Sequence, residues 1–195
     1  SVSVVTSLIA FYAWGDLYNW RFSRFFSYQL FPLFGLLAFS LMWSHYAASV
    51  VRQVFKVDKT VLKAYFEATS LAVLVFILLH PGLLAWQLWR DGLGLPPGSE
   101  ISYVAGGLGG YVILGMISLL AFLVYELRRK YEERPWWKFV GYASDIAMLL
   151  IVIHSLKLGT HLQQGWLRGL WYFYALTLVA ALIFNYFKKY QRHKA

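Results

Sequence analysis

The sequence predicts an all-α fold, an integral membrane bundle of six transmembrane helices with both termini in the cytoplasm, built as a single domain over residues 1–195. Three observations predict it. Hydrophobic residues make up 59% of the chain and charged residues 14%, against about 25% charged in an ordinary soluble domain. The apolar residues fall in runs long enough to cross the hydrocarbon layer, which takes about 20 residues of helix. Lys and Arg gather between those runs and not along one amphipathic face, so the net charge of +9 reads as cytoplasmic flanks of membrane helices and not as a nucleic-acid surface.

The first span is expected over residues 2–20, where Gly15-Asp16 and the Arg21/Arg24 pair break the apolar pattern. No n-region or cleavage site marks a removable signal peptide. A second span, 26–51, contains Pro32 and His45, and a charged turn with Arg52, Lys56, Asp58 and Lys59 follows it. The third, 60–89, carries Lys63, Glu67 and His80-Pro81, and the proline is expected to kink the helix near its end. Arg90 to Glu100 is a polar, turn-rich loop with two Pro and three Gly. The fourth span, 103–126, opens with Gly106-Gly107-Leu108-Gly109-Gly110, a pattern that fits close helix packing better than a nucleotide loop, since no strand precedes it. The fifth, 138–158, follows a basic segment and the interfacial pair Trp136-Trp137. The sixth, 166–187, finishes in Lys188-Lys189-Tyr-Gln-Arg192-His193-Lys194.

The basic residues fix the expected orientation. Arg52, Lys56, Lys59, Lys63, Arg128, Arg129, Lys130, Arg134, Lys138, Lys188, Lys189, Arg192 and Lys194 make thirteen on one side; Arg21, Arg24, Arg90, Lys157 and Arg168 make five on the other. The richer side is cytoplasmic. No segment outside the membrane is long enough to bury a core of its own, so no fused flavin or nucleotide domain is expected. The absence of cysteine excludes disulfides, zinc-thiolate sites, iron–sulfur clusters and covalent haem attachment.

An ionisable side chain in an apolar span is expensive and is a functional candidate for that reason. The stretch from Asp145 to His161 holds a carboxylate and two imidazoles, and His154 and His161, seven residues apart, turn through about 700° to nearly the same helical face. His80 lies seventeen residues beyond Lys63 and His154 sixteen beyond Lys138, on helices that both run outward. At about 1.5 Å per residue both sit roughly 25 Å from the cytoplasmic edge. Two neutral imidazoles level with each other on separate helices suit the two faces of one haem. His161, about 10 Å further out, is expected at the outer surface, with Lys157 and Arg168 placed to pair with propionates. A single membrane histidine is often a satisfied interhelical hydrogen bonder, and it is the matched pair that shifts the balance.

Six spans, with Phe76-Ile-Leu-Leu-His80-Pro on the third and Ile151-Val-Ile-His154 on the fifth, resemble the ferric reductase-like transmembrane domain family over about residues 30–187. The resemblance implies a cell-membrane oxidoreductase or electron-transfer subunit with non-covalent haem b, His80 and His154 its axial ligands, carrying electrons from a cytoplasmic flavin to an external acceptor. Two-haem members place a second histidine thirteen or fourteen residues inward on each ligand helix. Here those positions hold Glu67 and Phe66, and Gly141 and Val140, so one haem is expected. FAD would sit only on a separate reductase, with quinol the other candidate donor and a quinone a further candidate ligand. His161 has no clear counterpart and is open as alternative ligand, propionate partner or acceptor site.

His45, Glu67 and Asp145 each lie seven or eight residues from a cytoplasmic helix end. A hydrogen-bonded network, with Glu67 paired to His45 and with Ser144 and Tyr142 able to join, is the plainer reading. A proton path, a quinone pocket or a non-haem metal site are the functional ones. The rival to an electron carrier is a small non-haem transporter or proton channel using these residues, and the third reading is an anchor subunit of a larger complex.

Overall fold

The computed structural model describes residues 2–22, 26–127, 131 and 133–194. Arg24, Arg128, Arg129 and Lys130, which enter the charge count above, lie outside the described residues, as do the side chains of Lys59 and Arg192. The described chain is all α-helical apart from loops and one short 3-10 turn: α1 (Val2–Leu17), α2 (Phe26–Phe55), α3 (Lys59–Arg90), α4 (Gly98–Tyr103), α5 (Gly109–Glu126), α6 (Trp137–Leu158), the 3-10 turn Thr160–Leu162 and α7 (Trp166–Lys194). Five helices are long and apolar enough to cross a membrane, namely α2, α3, α5, α6 and α7. The expected first span is a helix of 16 residues, about 24 Å at 1.5 Å per residue, which falls short of the roughly 30 Å hydrocarbon layer. The turn-rich loop runs into α4, whose first five residues were not expected to be helical; its last, Tyr103, was expected to open the fourth span, which instead starts at Gly109.

The distribution of side chains is that of a protein solvated by lipid. Leu71, Leu120, Leu176 and Ile183 are each more than 60% exposed, while Ser3, Thr6, Ser40, Ser44 and Ser118 are buried. Lipid tails are as apolar as leucine, so burying leucine between helices gains little; small residues that let backbones approach, and polar groups that bond across, hold such helices together. The chain is a multi-pass helical membrane protein.

Several helices have legible ends. Asp58 stands just before α3 and accepts from the backbone N–H and the hydroxyl of Thr60, each at 2.7 Å, an N-cap whose bonds hold the Asp58 carboxyl below its usual range. At the other end of α3, Gly92 (φ +78°) lets Leu93 N–H reach the Leu88 carbonyl and Gly92 N–H the Trp89 carbonyl, a Schellman closure. α1 closes the same way, with Asn19 (φ +49°) in the left-handed position and Trp20 N–H on the Gly15 carbonyl. Pro81 lies inside α3, which continues to Arg90.

The chain divides into two compact units, one of Ser1–His80 with Gly169–Ala195 and one of Pro81–Arg168. In the first, α1 presents Ser3, Thr6, Ala10, Ala13 and Trp14 to α2, and the Trp14 indole donates to the Gln29 carbonyl. α2 meets α7 through an aromatic stack, Phe39 on Trp171 at 4.7 Å and Trp43 on Tyr174 at 4.4 Å between ring centroids. Trp43 Nε1 donates to Thr177 Oγ1 at 2.9 Å, and Gln53 donates to Asn185. In the second unit α5 packs along α6, where Ser118, fully buried, donates to the Leu114 carbonyl of its own helix and at 3.3 Å to the Ala147 carbonyl of α6. Gly109 sits against Ile101 of α4, and Gly107 (φ +85°) turns the chain between α4 and α5, so this glycine-rich segment is occupied by ordinary packing and turning.

Candidate functional site

His80 belongs to the first unit, on α3. Its Nδ1 is 2.8 Å from the carbonyl oxygen of Phe31 on α2, and its ring lies 5.5 Å from the Phe31 ring. A carbonyl can only accept, so Nδ1 carries the proton and the neutral ring has its lone pair on Nε2. Gly35, one turn beyond Phe31, is where the ring rests: a Cβ there would fall 2.8 Å from Nδ1 and 2.9 Å from Cε1.

His154 belongs to the second unit, on α6, and has the same surroundings. Its Nδ1 is 2.7 Å from the Tyr111 carbonyl on α5, which again assigns the proton to Nδ1 and the lone pair to Nε2. A Cβ on Gly115, one turn beyond Tyr111, would fall 2.6 Å from Cε1 and 2.7 Å from Nδ1. The Lys157 ammonium stands 5.8 Å from the centre of the Tyr111 ring, so the cation and the imidazole converge on one residue of α5.

The same-face expectation for His154 and His161 does not hold. α6 ends at Leu158, Gly159 is extended (ψ 110°), and His161 lies in the 3-10 turn. It is buried there, 7% exposed, with Thr160 Oγ1 3.2 Å from its Nδ1. Arg168, at the start of α7, donates to the carbonyl of Gln163.

Of the inner residues, His45 and Glu67 belong to the first unit and Asp145 to the second. His45 bonds to Thr69 Oγ1 at 2.7 Å and packs edge-on against Tyr65 and Phe66, while Ser44 Oγ and Tyr65 OH lie 2.7 Å apart. Glu67 is exposed on α3, eight residues beyond the helix's first residue. Asp145 is half-buried, Ser144 buried and Tyr142 exposed, all on α6. Among the described residues no group of three or more His, Cys, Asp or Glu side chains is placed to hold a metal ion.

The residues that sequence reading missed are Gly35, Gly115 and the backbone carbonyls of Phe31 and Tyr111. A signal was there: Phe31-Pro-Leu-Phe-Gly35 and Tyr111-Val-Ile-Leu-Gly115 share an aromatic residue four before a glycine, on the helix preceding each histidine helix. No protein-family model, curated protein or solved structure matches the chain.

Proposed function

We propose that this chain is a ferric reductase-like, single-haem b-type cytochrome of the cell membrane, in which His80 and His154 would hold the haem iron. It passes electrons from a cytoplasmic flavoprotein or quinol to an acceptor on the far side. The observation that carries this reading is the identical treatment of the two imidazoles. Each donates Nδ1–H to a backbone carbonyl and so holds its lone pair on Nε2, the donor chemistry of a haem ligand with its outer hydrogen bond in place. Bound haem supplies one-electron redox chemistry; the chain supplies ligation, insulation and tuning. His80 and His154 hold the neutral imidazoles, the apolar helices keep water out, and Lys157 and Arg168 offer cations for propionates. The Lys and Arg excess favours a cytoplasmic carboxyl terminus and cytoplasmic α2–α3 and α5–α6 connections, with the amino terminus on the same side when α1 completes a sixth crossing.

The test is optical. Protein purified from membranes supplied with haem is expected to show a Soret band that sharpens on dithionite reduction, and His80→Ala or His154→Ala is expected to abolish the low-spin spectrum. A colourless, iron-free preparation that conducts protons in liposomes overturns the reading in favour of a transporter.

A further inference from the structure

We infer that Gly35 and Gly115 are positioning residues, each forming with the carbonyl four residues earlier a cradle for one imidazole, and that the fold builds this cradle twice. The inference deepens the haem reading and rests on it for the ligand, though the cradle itself rests on geometry alone.

In an α-helix the carbonyl of residue i points along the axis toward residue i+4, whose amide it already serves. The carbonyl oxygen has a second lone pair, but the side chain of residue i+4 stands beside the approach to it. A ring nitrogen from a neighbouring helix reaches that lone pair most directly where i+4 has no Cβ. Phe31 with Gly35, and Tyr111 with Gly115, meet this condition. Of the fifteen glycines, these two alone have a histidine ring within 3 Å of the place a Cβ would take.

The consequence is a ring held at two points. The hydrogen bond fixes which nitrogen carries the proton, and the space left by the missing Cβ is where the ring sinks. Together they aim Nε2. Because the acceptor is a main-chain atom, no side-chain substitution deletes it, and the glycine is the position through which the cradle can be altered. A backbone carbonyl is also a weaker acceptor than a carboxylate, so the imidazole keeps its neutral character and does not approach imidazolate. The same five-residue arrangement on α2 and on α5 makes the two ligand helices equivalent in how they are served, despite the absence of any longer repeat in the sequence.

The experiment compares Gly35→Ala and Gly115→Ala with Gly82→Ala and Gly141→Ala, where an added Cβ meets nothing within 4 Å. Full-length protein is purified in nanodiscs, and haem-to-protein ratio, ferric low-spin electron paramagnetic resonance and helical circular dichroism are recorded. The expected result is that all four variants remain helical and monodisperse. The two control variants keep the wild-type resonance, and the two cradle variants shift it, or lose haem several-fold. Cradle variants with unaltered resonance and haem content overturn the inference. Should they fail to fold, 15N NMR of histidine-labelled wild-type chain, purified before haem is added, decides it. Nδ1–H tautomers at His80 and His154 support the cradle, and Nε2–H tautomers overturn it. A wild-type chain that takes up no haem but shows Nδ1–H at both histidines refutes the electron-carrier reading and leaves the cradle standing.

Discussion

Thr69 accepts the ring N–H of His45 because its own hydroxyl proton is already given to the Tyr65 carbonyl, at 2.6 Å, which leaves the oxygen 2.7 Å from Nε2 able only to receive. The bond ties α2 to α3 inside the first unit. Polar bonds between membrane helices average about 0.6 kcal/mol and reach about 1.7. Thr69→Val, which keeps the shape and removes the acceptor, is expected to destabilise the chain by that amount in bicelle unfolding, and His45→Ala made on top of it should add less than it does alone. Strict additivity of the two would show that the side chains do not interact.

Glu100, in the first turn of α4, is buried, and desolvation raises its carboxyl above the usual range. A carboxyl whose folded-state value is raised favours the folded chain at low pH and loses that advantage as pH climbs through the raised value. Glu100→Gln should therefore flatten the pH dependence of the melting temperature above the ordinary glutamate range and leave the acid end unchanged. A variant that melts lower than wild type at neutral pH would show that the carboxylate is favourably paired.

Two glycines of the α3 region should answer one substitution with opposite signs. Gly92, at φ +78°, has open space around it, so Gly92→Ala meets only the left-handed backbone penalty of about 1–2 kcal/mol. Gly82 lies inside the helix with equally open surroundings, and Gly82→Ala should stabilise by up to about 1 kcal/mol through helix propensity. Chemical denaturation of both variants in one detergent checks the pair.

Lys157 is exposed, three residues beyond His154, with its ammonium over Tyr111. If it pairs with a propionate, Lys157→Glu should weaken haem retention about two- to five-fold, the range of an exposed ion pair, and Lys157→Arg should restore it. Haem titration followed in the Soret region is the measurement, and equal affinity in all three proteins removes Lys157 from the site.

The helices were legible because lipid leaves the backbone few choices, and an apolar run of span length must bond within itself. The expected 26–51 and 60–89 became Phe26–Phe55 and Lys59–Arg90, the first longer at its end and the second at both, since a helix can continue past the apolar layer. α4 was hidden because Gly98-Ser99 after two prolines reads locally as turn. The shared face of His154 and His161 was lost because counting residues along a helix assumes that the helix continues, and Gly159 ends it. His80 and His154 stood out by charge chemistry and depth. Their supports did not, since a carbonyl is carried by every residue and a membrane glycine ordinarily signals close packing.

Nine tryptophans in a chain of 22.5 kDa, two of them stacked with tyrosine and phenylalanine where α2 meets α7, give the molecule a built-in lamp. Indole emission overlaps the strong blue absorption of a porphyrin, so uptake of one by a protein this small dims that light without any added label. Should a porphyrin bind, this packing arrangement doubles as its fluorimeter.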